Sequence, residues 1–203
     1  MNLLLSTAYL PPISYLSACL SAERMVIEQF ETYPKQTIRN HCTILGPNGK
    51  QMLSIPVNKV DGRHTLTKDI RICNTSPWQR SHWRSIGTAY SNSPFFLYYQ
   101  DAFEPIFTKR FDFLLDLNTR FLQIIFEILR IDKQVDLTDH FEKEPGTLKD
   151  LRTLPAIKAL SKQSKFLPYM QVFSARHGFV PDLSIIDLIF NLGPEAGEYL
   201  SFL

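Results

Sequence analysis

The sequence predicts an α/β fold: a mixed sheet with an N-terminal βαβ unit and a β-hairpin, followed by a mainly helical C-terminal part. Three observations carry this. Two short apolar runs, Asn2–Ala8 and Met25–Phe30, flank a stretch of helical spacing at Ile13–Ala22, which is the pattern of a parallel βαβ crossover. The stretch Tyr33–Val57 reads as two strands joined at Gly46-Pro47-Asn48-Gly49, where proline fixes φ and Asn-Gly tolerates positive φ. Beyond Cys73 the apolar residues recur at three and four, the period of helices. Residues 1–203 are expected to form a single domain, strand-rich over 1–74 and helix-rich over 75–203.

The elements follow in order. Leu3–Leu5 read as a buried first strand, stopped by Pro11-Pro12. The same N-terminus lacks the basic residues and unbroken apolar run of a secretion signal. Ile13, Leu16, Cys19 and Leu20 share a helix face. In the hairpin, Arg39-Asn40-His41 are read as the start of the first strand, with Arg39 and His41 on one face and Asn40 on the other. Asn58–Lys68 is polar and reads as a loop, and Asp69–Cys73 alternates as a strand does. Pro77 suits the first position of a helix, whose stripe holds Trp78, His82, Ile86, Ala89 and Tyr90. Phe95–Phe107 forms an aromatic helix, expected to kink or stop at Pro105. Phe111–Ile131 is the longest helical segment. Val135–Leu167 is weakly patterned, with short helices expected at Asp150–Thr153 and Ile157–Lys165. Met170–Phe173 reads as a last strand, Ser184 or Asp182 as the cap of a final helix, and Glu195–Phe202 as a short tail.

Composition narrows the function classes. The 203 residues carry 22 basic and 20 acidic side chains, a balance that gives no electrostatic case for nucleic acid. No run approaches the roughly 20 apolar residues of a membrane helix, so no membrane insertion is expected. Three widely spaced cysteines, Cys19, Cys42 and Cys73, fit a reducing cytoplasm better than a disulfide framework. The 15 phenylalanines and 8 tyrosines fill a core and also suit a cleft that stacks on a ring-shaped ligand. Gly-rich phosphate loops, a GxSxG elbow and paired Cys/His metal spacings are absent from the sequence, so no metal and no particular cofactor is assigned.

The candidate site residues each admit two readings. Arg39 offers a planar fork for carboxylate or phosphate, or it pairs with Glu28 or Glu31 on a solvated face. His41 binds ligand or shuttles a proton. His82, on the buried stripe one turn from Trp78, is a proton donor or a satisfied core histidine; Arg80 and Arg84 read as solvated. Tyr9 lies just past the first strand, where open α/β sheets bind ligands, or simply packs. Asp187 and Asn191, four apart on one helix face, either reach a ligand or cap a neighbouring loop.

Taken together, Tyr9-Leu10-Pro11, Arg39-Asn40, Gly46 and Gly49, Pro56-Val57, Trp78 with His82, Ser93-Pro94-Phe95-Phe96, and Asp182-Leu183-Ser184-Ile185-Ile186-Asp187-Leu188 with Phe190-Asn191 resemble the WbqC-like family over nearly the whole chain. The chain departs from the family at Thr7-Ala8, where Gln-Pro is common, and at His41, where a second arginine is common. The resemblance implies a place in bacterial O-antigen or other surface-polysaccharide biosynthesis, with aminoacyl (glycine) or acyl transfer to a sugar as a suggested reaction. The expected function is therefore a cytoplasmic transferase acting on a sugar precursor or nucleotide-sugar. His82 would be its catalytic acid or base, and Tyr9, Arg39, Asn40, His41, Trp78, Asp187 and Asn191 its substrate contacts. The alternative is a non-enzymatic sugar- or nucleotide-binding protein, or an accessory partner of a biosynthetic enzyme.

Overall fold

The computed structural model describes residues 1–203. The first strand, β1 (Asn2–Ser6), is followed by helix α1 (Ile13–Ser21) and strand β2 (Arg24–Glu28). β1 and β2 pair in parallel with Leu3 opposite Met25 and Ser6 opposite Glu28, as the βαβ reading requires. The hairpin is β3 (His41–Gly46) and β4 (Gly49–Ser54), antiparallel from His41↔Ser54 to Gly46↔Gly49. Gly49 adopts φ +100° at the end of the two-residue turn, a conformation open to glycine. Two-residue strands β5 (Val57–Asn58) and β6 (Arg71–Ile72) pair beside it. Helices α2 (Trp78–Tyr90), α3 (Phe96–Thr108) and α4 (Leu114–Leu129) come next, and the buried residues of α2 are Trp78, His82, Ile86, Ala89 and Tyr90, the stripe read from the sequence.

The chain then returns to the parallel sheet. Strands β7 (Val135–Leu137) and β8 (Lys149–Leu151) extend it to the order β7-β2-β1-β8, all parallel. Helices α5 (Leu154–Gln163), α6 (Ser174–His177), α7 (Ile185–Leu192) and α8 (Ala196–Ser201) complete the chain. A continuous apolar core runs from Leu3 and Leu5 through α2, α4 and α7 to Leu200. No helix is long and apolar enough to cross a membrane.

Several local expectations need correction. Residues 38–40 form a turn, and β3 begins at His41, so Arg39 and His41 do not share a strand face. Asp150–Thr153 is not a helix: Asp150 and Leu151 lie in β8 and Thr153 caps α5, accepting a hydrogen bond from the Ala156 N–H. β7 and β8 have only three residues each, too few to show a period; pairing with β2 and β1 defines them. Met170–Phe173 is not a strand. Gln171 instead fixes the chain with its side chain, accepting from the Val180 N–H and donating to the Val180 carbonyl, each at 2.9 Å. α3 continues through Pro105 to Thr108, because burial of Phe103, Ile106 and Phe107 outweighs the loss of one helical bond, about 3 kcal/mol. Residues after Glu195 form α8 rather than a tail.

Both ends of α1 are capped from afar. The Asp182 carboxylate accepts from the Ser14 N–H at 2.8 Å and its hydroxyl at 2.9 Å, where Pro12 offers no side-chain cap. At the other end the Lys133 ammonium donates to the carbonyls of Cys19, Leu20 and Ala22, the groups a helix terminus leaves open.

Gly193 closes α7 at φ +55°, and a Cβ there would stand 2.5 Å from the Phe95 ring. Backbone strain and overpacking each cost about 1–3 kcal/mol, so Gly193→Ala is expected to lower stability by about 3 kcal/mol or more in urea unfolding. Gly197→Ala, in α8 with only ordinary contacts around its Cβ, is expected to be neutral or to stabilise by up to about 1 kcal/mol.

Candidate functional site

The peptide leaving β1 brings Tyr9 into the core. Its N–H donates to the Ile38 carbonyl at 2.8 Å, and its hydroxyl sits 2.8 Å from His82 Nδ1. Burial pushes the Tyr9 phenol well above its ordinary range, so the hydroxyl keeps its proton and donates it. His82 is 6% exposed, with its ring edge-on to Trp78 at 5.2 Å. Burial pushes the imidazole down to about 4, against a smaller opposing pull from the Ser54 backbone. At neutral pH this histidine is uncharged.

The same stretch is locked to the C-terminal segment. Ser184 Oγ donates to the Leu10 carbonyl at 2.8 Å, Ile13 N–H to Leu183 O at 3.0 Å and Ile185 N–H to Pro11 O at 2.8 Å. Leu10 and Asp182 hold φ of +41° and +54° to make this clasp, a conformation rarely adopted by non-glycine residues. The Tyr9-Leu10-Pro11 and Asp182-Leu183-Ser184 motifs thus meet in space.

Arg39 is 1% exposed and fully engaged. Its guanidinium reaches Glu31 Oε1 at 2.6 and 2.8 Å, Thr37 Oγ1 at 3.1 Å and the Arg152 carbonyl at 2.8 Å. Asn118 donates to the Arg39 carbonyl at 2.8 Å. Beyond it, Arg152 holds Asp150 with two nitrogens at 3.0 and 2.8 Å and Glu28 at 3.3 Å. The hydrogen bonds from Arg152 draw the Asp150 carboxyl below its usual range, whereas burial raises Glu31 despite Arg39 beside it. This network borders a crevice of about 490 Å³ at the carboxyl ends of the parallel strands.

Asn40 and His41 line a different hollow, of about 450 Å³, with Tyr33, Lys35, Ser54, Ile55 and Lys59. Asn40 Nδ2 donates to the Ile55 carbonyl at 3.0 Å, while its Oδ1 is buried with no partner. The buried Tyr33 hydroxyl is likewise unpaired. Lys59 donates to the Tyr33 carbonyl at 3.0 Å. His41 stands 3.1 Å from Met52 Sδ and 3.3 Å from Ser54 Oγ, and partial burial pulls its imidazole below the usual range.

Asp187 and Asn191 lie elsewhere, within α7. The Asn191 amide donates to the Asp187 carbonyl at 2.7 Å, and the Asp187 carboxylate accepts from Tyr169 at 2.6 Å and Gln171 at 2.9 Å. Burial raises this carboxyl above its ordinary range, with those hydrogen bonds pulling back.

The eight sequence-selected residues therefore fall into four settings. Tyr9, His82 and Trp78 form one buried cluster; Asn40 and His41 share the hollow; Arg39 belongs to the ion network; Asp187 and Asn191 belong to the α7 cluster. They do not line one common pocket. Glu31, one of the two acids read from the sequence as partners for Arg39, does pair with it, though with Arg39 buried; Arg152 of the network, and Tyr33, Lys35 and Lys59 of the hollow, were missed.

Residues 7–165 match the WbqC-like protein family, and the chain belongs to that family. It is 26% identical to an uncharacterised protein of Mycobacterium tuberculosis, Rv1507c, over 96% of this chain and 94% of that one. No solved structure matches.

The lowered imidazole of His82 gives a pH signature. The folded value of about 4 lies below the ordinary histidine value of 6.5, so the unfolded chain binds the proton first as pH falls. Stability from neutral His82 is complete above pH 6.5 and is lost as pH falls towards 4, by up to about 3 kcal/mol. The stability difference between wild type and His82→Gln, from urea titrations, is expected to be constant above pH 7 and to shrink across that window.

Proposed function

We propose that the protein is a cytoplasmic transferase in surface-polysaccharide biosynthesis, acting on a phosphorylated sugar or nucleotide-sugar bound in the hollow beside the hairpin. The observation that carries this reading is the polar make-up of the hollow. Lys35 and Lys59 offer positive charge, Asn40 Oδ1 and the Tyr33 hydroxyl are buried and unpaired, and none of the ten lining residues is a carboxylate. An unpaired amide oxygen wants a donor such as a sugar hydroxyl or amine, and lysines suit phosphate. A volume of about 450 Å³ accommodates one sugar phosphate.

In this reading His41 is the proton acceptor. Its pKa, lowered by burial, keeps it neutral and basic at working pH. A sugar amine attacks the carbonyl carbon of an activated acyl donor and gives its proton to His41. A lysine ammonium faces the developing oxyanion, and the donor's leaving group departs as the amide forms. His82, selected from the sequence as the catalytic group, lies behind the wall formed by Ser54, and here it positions that wall with Tyr9 and Trp78. Arg39 holds the turn that presents Asn40.

The second reading, a sugar- or nucleotide-binding accessory protein, draws on the engagement of Arg39 and His82 by the protein itself. Thermal-shift and turnover assays with sugar phosphates, nucleotide-sugars and acyl donors separate the two. The transferase reading expects stabilisation by both acceptor and donor. It also expects His41→Ala to cut turnover by about 100-fold or more with melting temperature unchanged, and Lys59→Ala to weaken acceptor binding about tenfold. Stabilisation by one ligand class without turnover identifies the binding protein, and no stabilisation by any sugar phosphate sinks both readings.

A further inference from the structure

A second hollow lies further along the hairpin, towards its turn. It is a groove of about 920 Å³ between the hairpin and the outward face of α2, lined by Gly46 to Met52 and by Pro77, Arg80, Ser81, Arg84, Ser85 and Thr88. Its charges are all positive: Lys50, Arg80 and Arg84, with no carboxylate among the lining residues. None of the three is in an ion pair. Arg80 and Arg84 are four apart on one helix, which places their Cβ atoms about 5–6 Å from each other and makes them repel. A chain with nearly balanced charge thus keeps three cations unneutralised in one concavity.

The groove is also braced. Gln51 donates to Ser85 Oγ at 3.1 Å across it. At the turn, His177 Nε2 lies 3.1 Å from the Pro47 carbonyl, tying the hairpin tip to α6. Gly46 and Gly49 pair with each other at that end and fix the tight turn.

We propose that this groove is a diphosphate-binding site, with Arg80 and Arg84 gripping adjacent phosphates and Lys50 closing from the hairpin. Two forked guanidiniums one helical turn apart match the multiple oxygens of a diphosphate better than one phosphate. The site stands apart from the sugar-phosphate hollow and does not depend on it. His41 is the link between them, touching Met52 of the groove and Ser54 of the hollow. A diphosphate in the groove belongs either to a nucleoside or to a lipid-linked sugar.

The test is isothermal titration calorimetry at fixed ionic strength with inorganic pyrophosphate, inorganic phosphate, a nucleoside diphosphate and farnesyl diphosphate. Pyrophosphate is expected to bind at least tenfold more tightly than phosphate. The exposed double variant Arg80→Gln/Arg84→Gln is expected to lose at least tenfold in pyrophosphate affinity at unchanged melting temperature, while Lys59→Ala in the hollow leaves it intact. Tighter binding of the nucleoside or the prenyl compound than of pyrophosphate assigns the source; equal binding of all three confirms recognition of the diphosphate alone. Absence of pyrophosphate binding at millimolar concentration, or loss on Lys59→Ala but not in the double arginine variant, overturns the proposal.

Discussion

Glu28 is the constraint around which the sheet's functional end is arranged. It closes β2 with no exposure to solvent, and a buried carboxylate must be paired and hydrogen-bonded. Its two oxygens accept from the Phe30 N–H, Thr138 Oγ1, the Glu142 N–H and Arg152. Those partners come from the exits of β2, β7 and β8, so satisfying one carboxylate fixes where three strands end. Arg152 then presents its carbonyl to Arg39, and Arg39 holds the turn from which Asn40 and the hairpin start. Breaking such a buried pair from one side costs about 3–5 kcal/mol, so the network acts as a rigid base and leaves the chemistry to its neighbours.

Two polar surfaces remain along the hairpin once that base is set. The hollow containing Asn40 and His41 has unpaired buried acceptors and lysines; the groove along α2 has Arg80, Arg84 and Lys50. α2 serves both the core and the surface. One face carries His82 into contact with Tyr9, and the other carries Arg80 and Arg84 outward. The hairpin contributes in the same double way, since Leu53 is buried while Lys50, Met52 and Ser54 face out.

The period-two and period-3.6 signals made much of the fold legible. β1, α1, β2, the hairpin turn and the stripe of α2 were readable because each is long enough, or punctuated by Gly and Pro, to show its pattern. β7 and β8 were not, because Val135–Leu137 and Lys149–Leu151 owe their strand form to partners more than 100 residues away. At the candidate site, Tyr9, Asn40, His41 and His82 stood out by type and place, but their grouping did not. Arg39 showed only a cation near acids, and its engagement with Glu31 depends on a turn that replaces the first residues of the expected strand. Lys35 and Lys59 lie in polar stretches with no period, so nothing local marked them as walls of one hollow.

The clasp between Leu10-Pro11-Pro12 and Leu183-Ser184-Ile185 has a consequence for biogenesis. α1 receives its N-terminal cap from Asp182 and its C-terminal cap from Lys133, and β1 gains its second neighbour only when β8 exists. A nascent chain emerging from the ribosome therefore holds its first βαβ unit uncapped and half-paired until Lys133, β8 and Asp182 have been made. Such non-local closure is slow and leaves apolar strands open to misassembly. Closure of the first βαβ unit thus waits on segments made more than 100 residues later.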